Sequence, residues 1–419
     1  MLFSGSMIGV CNLHTAKMNE MTSNPWRFFG PVSIALSIAL VSCNGGNEPV
    51  SNDDWLFVDS LLATMSLEAK VGEMTQLTLG AIEVGEWKEL VEPQHLDTAK
   101  AYRALVEYQV GSILNCGNHA HTPEKWHEFI QGIQSFAAQK SSGIPVLYGV
   151  DAIHGPTYTS GGVLGPQQIG LAATWNEELV KKNAAATAQQ VAACGIPWNF
   201  SPVLDMGRDP RWPRFWETFG EDPLLTSRMG VAMVDGYQNS GVPFAATLKH
   251  FFGYGFTLSG KDRTPGWIPE RELREYFLPS FQAAIDAGAM TVMVNSGELN
   301  GIPVHANRYL LTDLLRNELG FEGVVVTDWE DVKYLMDRHK VAANYKEATR
   351  LAVEAGIDMS MVPLDLEFTE SLLELVREGS ISEDRIDDSV RRILRLKQKL
   401  GLFDTGGMPR PLTEHPDAS

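Results

Sequence analysis

One run carries the plainest strand signal in the chain: Gly323-Val324-Val325-Val326-Thr327-Asp328-Trp329. Consecutive β-branched residues without polar alternation predict a strand that is buried on both faces, as in a parallel sheet. Seven similar runs occur at residues 74–79, 111–115, 145–151, 199–205, 244–250, 291–296 and 356–361. Longer amphipathic segments separate them, for example residues 177–191, 272–287 and 310–319. Eight strands alternating with helices predict an α/β fold, a single-domain (β/α)8 TIM barrel.

The composition restricts the class of protein. Of the 419 residues, 44% are apolar and 21% are charged, which is the balance of a soluble globular enzyme. A formal net charge of -18 disfavours nucleic acid as a partner, because neutralising phosphates requires a basic face. The 10 tryptophans and 10 tyrosines can supply stacking surfaces for a neutral ligand such as a sugar ring. Cys116 and Cys194 are predicted to be buried free thiols rather than a disulfide.

The N-terminal segment is predicted to be a targeting signal. An apolar stretch at residues 32–40 is too short to span a bilayer permanently, and it leads into Leu40-Val41-Ser42-Cys43. This sequence is similar to a bacterial lipobox, so residues 1–42 are predicted to be a leader with a lipoprotein-type signal peptide, with Cys43 as the lipidated residue. An ordinary signal peptide followed by a chance cysteine is the alternative.

The rest of the chain follows from that assignment. Residues 43–54 are predicted to be a flexible tether, residues 55–403 the barrel, and residues 404–419 a tail that is a truncated linker. This arrangement predicts an exported protein of the periplasm or outer membrane, which contacts the membrane through its lipid anchor alone.

Polar residues interrupt the apolar pattern at one end of the predicted strands. Five of the runs close on polar side chains, namely Asp151, Asp205, Lys249 with His250, Ser296, and Asp328. The carboxyl ends of barrel strands meet at one face, where such barrels carry their active sites. A single charge at a strand end is equally well explained as a residue leaving the core, but the repetition favours a shared site.

Two of these strand ends suggest chemistry. Asp328 followed by Trp329 sets a carboxylate beside a large ring, as a glycosidase nucleophile with a sugar-stacking wall requires, although a structural or metal-binding carboxylate would look similar. Lys249 and His250 are adjacent on one strand, so they reach the mouth together only if the backbone twists or bulges there. They can donate to sugar hydroxyls, whereas a Schiff-base lysine is the competing interpretation.

Two further segments carry candidate ligand-binding residues. The loop at residues 208–223 is long, aromatic and densely charged, and its arginines suit recognition of vicinal hydroxyls or pairing with Glu217. Some of its charges are equally well explained as salt bridges that lie over the barrel. His119 and His121 form a pair with metal-ligand spacing, but no further ligand pattern follows, so they are interpreted as loop histidines and no metal or other cofactor is predicted.

Together these segments resemble the N-terminal barrel of family 3 glycoside hydrolases, the retaining β-glucosidases and related exo-acting enzymes. The matching segments, in order, are residues 61–76, 149–155, 209–223, 249–255 and 323–329. Residues 291–301 and 358–363 resemble most closely the β-glucosidases of bacterial polysaccharide-degrading systems. The resemblance implies a retaining, exo-acting β-glycosidase of the β-glucosidase type that removes terminal β-linked glucose from oligo- or polysaccharides, with β-glucan oligosaccharides as ligands.

The resemblance also implies roles for individual residues. Asp328 is the nucleophile, and Glu217 supports the arginine of the sugar subsite. The substrate-binding positions, all expected at the mouth, are Asp151, Arg214, Lys249, His250, Trp329 and Ser296. Ser296 stands where many members have a tyrosine, so this part of the subsite wall is expected to differ.

The proton donor is the group that the resemblance does not supply. A retaining glycosidase needs a nucleophile and an acid/base group about 5 Å apart. In two-domain relatives the acid/base is a glutamate on a C-terminal α/β-sandwich domain, which this chain is expected to lack. Single-domain β-N-acetylglucosaminidases use an Asp-His pair instead, and the corresponding loop at residues 257–263 contains no histidine. The remaining carboxylates are interpreted as solvated or structural, namely Glu298, Glu330, Asp331 and Asp262.

Two functions therefore stay open. Without an acid/base group, the chain is expected to glycosylate Asp328 slowly with a good leaving group and barely cleave cellobiose, since general acid catalysis is typically worth ~10²–10⁴-fold. A partner chain that supplies the acid/base domain would restore full activity. The alternative is a non-catalytic sugar-binding lipoprotein derived from the same barrel.

Overall fold

Eight parallel strands form the centre of the structure. They are β1 Thr75–Thr78, β2 Ser112–Leu114, β3 Leu147–Val150, β4 Trp198–Asn199, β5 Ala245–Phe251, β6 Thr291–Val294, β7 Val324–Val326 and β8 Ser360–Met361. From β1 to β7 each strand pairs with the next in chain order, and β8 pairs with β1. A parallel bridge between Val326 and Met359 joins β7 to β8 and closes the ring. The predicted (β/α)8 barrel is confirmed.

Helices surround this ring. They are α1 Asn52–Leu62, α2 Leu67–Glu73, α3 Thr98–Ala101 continued by Tyr102–Glu107, α4 Pro123–Ala137, α5 Gln168–Ala172, α6 Glu177–Ala193, α7 Pro223–Gln238, α8 Glu270–Glu272 continued by Leu273–Phe277 and Leu278–Asp286, α9 Tyr309–Glu318, α10 Asp331–Asp337, α11 Tyr345–Ala355, α12 Glu367–Arg377, α13 Glu383–Lys399 and α14 Leu402–Thr405. A small antiparallel hairpin, Glu298–Leu299 with Ile302–Pro303, follows β6.

The helix boundaries follow local capping chemistry. The side chains of Thr122, Asn176, Asp222 and Ser382 accept a backbone N–H in the first turns of α4, α6, α7 and α13. Such caps satisfy amides that have no partner within the helix. The outer helices then bury their apolar faces against the strands, as the residue spacing at 177–191, 272–287 and 310–319 predicts.

The predicted strand at residues 199–205 is the main difference from the sequence analysis. The regular strand is only Trp198–Asn199, and one bridge between Val203 and Lys249 continues the pairing. Pro202 has no N–H to donate to the ladder, so regular pairing is interrupted. The irregular segment still brings Asp205 to the carboxyl end of the barrel, which is called the mouth below, together with the loops that follow the strands.

Buried charges occupy the opposite end, which is called the base. Lys397 of α13 donates to Glu73 and to the Pro145 carbonyl. Lys140 lies 3.7 Å from the same carboxylate and donates to the Val110 carbonyl. These contacts connect the last long helix to the segments that enter β1, β2 and β3.

A second charged cluster at the base surrounds Asp358. Its carboxylate accepts from Arg316 at 2.5 Å and from Arg392 at 3.1 Å, and Arg385 lies 3.9 Å away. The Val325 N–H and the Ser389 hydroxyl donate to it as well. Arg316 also donates to the carbonyls of residues 321 and 323, so the cluster connects the segment before β7 to α13.

The computed structural model describes residues 52–412 apart from residues 87, 88, 90 and 118. These residues belong to one compact unit. The predicted signal peptide, the lipidation site Cys43, the start of the tether and the end of the tail lie outside them. Within the described part of the chain, no helix has the length and apolarity needed to cross a membrane.

Candidate functional site

Asp328 is the centre of the polar mouth. It follows β7 directly, and its side chain is 13% exposed. One carboxylate oxygen, Oδ1, accepts the Trp329 backbone N–H at 2.6 Å. The other, Oδ2, accepts the Ser296 hydroxyl at 2.9 Å and lies 3.2 Å from Nη2 of Arg263. The carboxylate is therefore fixed in orientation while part of it stays accessible.

The surroundings of Asp328 keep it ionised. Burial alone would raise the pKa of its carboxyl, but the neighbouring groups together outweigh burial, and Arg263 is the largest of them. Arg214 and the Trp329 N–H act in the same direction, so the pKa lies well below its usual range. A carboxylate that is charged throughout the physiological pH range is suited to nucleophilic attack on an electrophilic carbon.

Lys249 joins two strand ends in an ionic contact. Its Nζ donates to Oδ1 of Asp151 at 2.7 Å, and the lysine side chain itself is buried. Asn115, which follows β2, donates to Oδ2 of Asp151 at 2.9 Å and accepts the Asp151 backbone N–H. Asp151 is one-third exposed, so it presents a charged acceptor to the mouth while its orientation is fixed from behind.

His250 also reaches the mouth, although it is adjacent to Lys249 on β5. The pairing of β5 with β6 shifts register between Leu248 and Phe251, which is the irregularity that two neighbouring inward side chains require. His250 Nδ1 lies 2.7 Å from Oδ2 of Asp205, and its Nε2 lies 3.8 Å from Oδ2 of Asp328.

The Asp205–His250 pair is fully buried. Burial raises the pKa of Asp205 to about 8 and lowers that of His250 well below its usual range. Nδ1 of His250 is thus taken up by Asp205, and Nε2 is the ring nitrogen that faces the nucleophile. The sequence marked Asp205 only as a strand end, and its position three strands from Asp328 becomes informative only once the barrel has closed.

Arg214 and Glu217 form a fixed pair in the loop after β4. Nε and Nη2 of the arginine donate to the two glutamate oxygens at 2.9 and 2.8 Å. The Arg214 guanidinium also lies 5.8 Å from the centre of the Tyr254 ring. The bidentate pairing holds the arginine so that its remaining N–H groups can donate to a ligand.

Arg263 is the main site residue that the sequence analysis missed. It lies in the loop after β5 with φ of 54°, a conformation that costs energy for a residue with a side chain. Nη1 donates to Oδ1 of Asp331 at 2.8 Å and to the Trp329 carbonyl at 3.2 Å. The one available signal was a cation in the loop that follows the Lys-His strand.

The four carboxylates interpreted as solvated or structural are placed differently from one another. Asp331 is only 2% exposed and pairs with Arg263, so of the two interpretations the structural one applies to it. Asp262 accepts the Tyr254 hydroxyl at 2.5 Å, and Glu298 lies 2.8 Å from Nδ1 of His339. Glu330, directly after Trp329, accepts the Tyr334 hydroxyl at 3.3 Å.

The structure also describes the two cysteines and the histidine pair that the sequence analysis singled out. Cys116 and Cys194 are free and buried, as predicted. His119 and His121 stack with ring centres 5.7 Å apart. Among the residues that the structure describes, no group of three or more histidine, cysteine, aspartate or glutamate side chains is arranged to hold a metal ion.

Known proteins are similar to this chain in sequence. The sequence model described as "Glycosyl hydrolase family 3 N terminal domain" matches residues 66–396. A lysosomal beta glucosidase of Dictyostelium discoideum is 46% identical over 369 residues, which is 83% of this chain and 44% of that protein. A beta-xylosidase of Formosa agariphila is 39% identical over 288 residues, which is 65% of this chain and 40% of that protein.

A solved structure is similar to this barrel in fold as well as in sequence. The exo-1,3/1,4-beta-glucanase of a Pseudoalteromonas species superposes with a TM-score of 0.76 at 34% identity, over 88% of this chain and 45% of that one. The chain spans less than half the length of each of these three relatives. Because the family model covers most of the chain and the barrel superposes on a solved relative, the chain belongs to glycosyl hydrolase family 3.

Proposed function

We propose that this barrel is the nucleophile-bearing part of a retaining, exo-acting β-glucosidase that removes terminal β-linked glucose from oligo- or polysaccharides. The observation that carries the proposal is the state of Asp328, which is ionised, oriented by two hydrogen bonds and still accessible. A retaining glycosidase needs such a carboxylate to form a covalent glycosyl ester. Relatives described as a beta glucosidase and an exo-glucanase support the substrate class.

The rest of the mouth supports recognition of a sugar. Asp151 offers a charged acceptor, whereas Lys249 and Arg214 offer fixed donors, so acceptors and donors alternate around the space next to Asp328. Vicinal hydroxyls act as both donors and acceptors, and charged partners form stronger hydrogen bonds with them than neutral ones do. Trp329, partly buried directly after the nucleophile, is suited to stack on a sugar face.

The proposal places the acid/base group outside this barrel, either in the rest of a longer protein or in a partner chain. The described carboxylates nearest to Asp328 already have partners, since Asp331 binds Arg263 and Asp262 accepts from Tyr254. A donor to the leaving group must be free to approach the glycosidic oxygen. The chain also spans less than half of its relatives' length, which leaves room for such a domain.

The kinetic test uses the 419-residue chain with dinitrophenyl β-glucoside and cellobiose. We expect a burst of dinitrophenolate followed by slow turnover, because the activated leaving group needs no proton whereas the second step lacks a general base. Azide, a nucleophile that needs no base, should accelerate that step and yield the β-glucosyl azide. Cellobiose should be cleaved at least ~100-fold more slowly than the aryl glucoside.

Three outcomes would contradict this proposal. Rapid cellobiose turnover would mean that the barrel contains its own acid. An α-configured azide would exclude retention, and glucose binding without any burst would favour the non-catalytic sugar-binding protein. Dinitrophenyl β-xyloside serves as a matched substrate: because it lacks only the hydroxymethyl group, faster turnover of the xyloside would assign the site to xylosides instead.

A further inference from the structure

Arg263 shares one positive charge between two carboxylates. Nη2 lies 3.2 Å from Oδ2 of Asp328, and Nη1 donates to Oδ1 of Asp331 at 2.8 Å. Asp331 is the first residue of α10, and almost none of its surface is exposed. Two ionised carboxylates beside a single guanidinium would leave a net negative charge in a poorly solvated place, which is costly.

The second oxygen of Asp331 faces a histidine. Oδ2 lies 3.6 Å from Nε2 of His305, and neither atom has a hydrogen-bond partner among the described residues. The His305 ring makes a backbone hydrogen bond with Asn295 that favours the protonated ring, so the ring is the donor of that bond. Burial lowers the pKa of His305 to about 3, so the ring is neutral and its Nε2 is an acceptor.

Two acceptors that face each other require a proton between them. A carboxylate oxygen opposite an imidazole lone pair is repulsive, whereas a carboxylic acid at Asp331 can direct its O–H toward Nε2. The charged or titratable groups around Asp331 are Arg263 from the loop after β5, His305 from the segment after β6, and Asp328 and Arg338 on its own side. The Ser296 hydroxyl also lies near Asp331, but it donates its proton to Asp328. With His305 neutral, the proton therefore lies on Asp331.

We infer that Asp331 is a positioning residue that exchanges charge with the nucleophile, holding a proton while Asp328 is ionised and releasing it when Asp328 becomes a glycosyl ester. This rests on the proposed function of Asp328. Burial raises the pKa of Asp331 to about 7, and the negative charge of Asp328 contributes to that increase. Removing the charge at Asp328 therefore lowers the pKa of Asp331, and Arg263 keeps an anionic partner throughout the reaction.

The covalent step can be written so that charge and atoms balance. In 2-deoxy-2-fluoro-β-glucosyl fluoride, an Asp328 oxygen forms a bond to the anomeric carbon while the carbon–fluorine bond breaks and fluoride leaves with the electron pair. No proton is consumed, because fluoride is the stable species at neutral pH. Asp331 then loses its proton to solvent, so Arg263 faces one carboxylate before the step and one after it.

The test counts protons during labelling of the full chain in weak buffer with a pH indicator. Between pH 6 and 7, we expect release of about half a proton or more per labelled chain. Asp331→Asn should still label, because the amide oxygen can accept from Arg263, but it should release no proton. Asp337→Asn, the same change at an exposed position on α10, should behave like the wild type.

The outcomes separate this inference from the proposed function. Failure to label Asp328 would overturn both, whereas stoichiometric labelling without proton release would overturn the inference alone. If Asp331→Asn does not fold, acid–base titration of Asp328→Asn against the wild type gives a second test. Since the pKa of Asp328 lies far below this range, a group that titrates near pH 7 should move to lower pH in the variant, and unchanged curves would contradict the inference.

Discussion

Two aspartates lie at opposite ends of the barrel, Asp358 in the segment before β8 and Asp328 in the segment after β7, and the two differ in what can reach them. Asp358 at the base is completely buried, and three arginines surround it. Asp328 at the mouth is 13% exposed, and its Oδ1 accepts a backbone N–H, that of Trp329. Arginines hold the pKa of both carboxyls below the usual value, although burial opposes this in each case.

Ionisation of a carboxylate by nearby arginines therefore has a structural role at the base and is compatible with a chemical role at the mouth. At the base, donors surround both oxygens, so the charge fixes the packing of α13 and the segment before β7 and is available to nothing else. At the mouth, the carboxylate is ionised by the same kind of partner, but it keeps an oxygen that a substrate can approach. Ionisation alone therefore does not identify a reactive carboxylate, and accessibility distinguishes the two.

The largest expected effect is on catalysis at the mouth. Asp328→Asn should reduce the dinitrophenolate burst by at least ~10⁴-fold, because an amide oxygen is a much poorer nucleophile than a carboxylate. The free energy of unfolding should change by only about 1 kcal/mol or less, since Arg263 keeps Asp331 as a partner. Stopped-flow absorbance gives the first quantity, and urea denaturation gives the second.

The reverse pattern is expected at the base. Asp358→Asn should lower the free energy of unfolding by ~3–5 kcal/mol, because an ionic cluster loses its fully buried anion and the partly buried arginines lose their partner. The protein that remains folded should show the wild-type burst per active site, because the mouth is at the other end of the barrel. If Asp358→Asn lost the burst without losing stability, the distinction between the two aspartates would be contradicted.

A smaller, pH-dependent effect is expected from the lysine cluster at the base. Burial lowers the pKa of Lys140 to about 7, so between about pH 7 and pH 10 the unfolded chain binds more protons than the folded one. The contribution of Lys140 to stability should therefore rise with pH across this window, by at most ~1.4 kcal/mol per pH unit.

The measurement compares unfolding of the wild type and Lys140→Met. The difference in free energy of unfolding, wild type minus variant, should increase from pH 7 to pH 10, because the variant lacks the titrating group. Lys125→Met, at a lysine that pairs with Glu128 on the surface of α4, serves as the control for removing a lysine that is not enclosed by the protein. A flat difference for Lys140→Met would contradict a lowered pKa.

The sequence predicted the barrel because all eight strand positions carry an apolar run, and buried parallel strands have that local signature. It also identified Asp328, Lys249 and His250, since polar residues at strand ends are brought together by the topology alone. The sequence did not predict that the strand at 199–205 is interrupted. The interruption depends on the position of Pro202 between its neighbouring strands, which composition does not indicate.

Loop residues were less predictable. Arg263 lies in the loop after β5 and Asp331 at the start of α10, and nothing in their local sequence indicates that they pair. Asp331 was interpreted as solvated or structural because no motif distinguishes it, and the structure places it inside the mouth, where it pairs with Arg263. Their pairing follows from the closed barrel, which brings sequence-distant loops within hydrogen-bonding distance.

The role of the mouth can be tested by locating a covalent label. The full chain is incubated with 2-deoxy-2-fluoro-β-glucosyl fluoride and digested, and the modified peptide is sequenced by mass spectrometry. We expect one fluoroglucosyl group per chain, attached to Asp328 as an ester. A label on another carboxylate such as Asp262, or no label on a chain that still binds glucose, would contradict the assignment of Asp328 as the nucleophile.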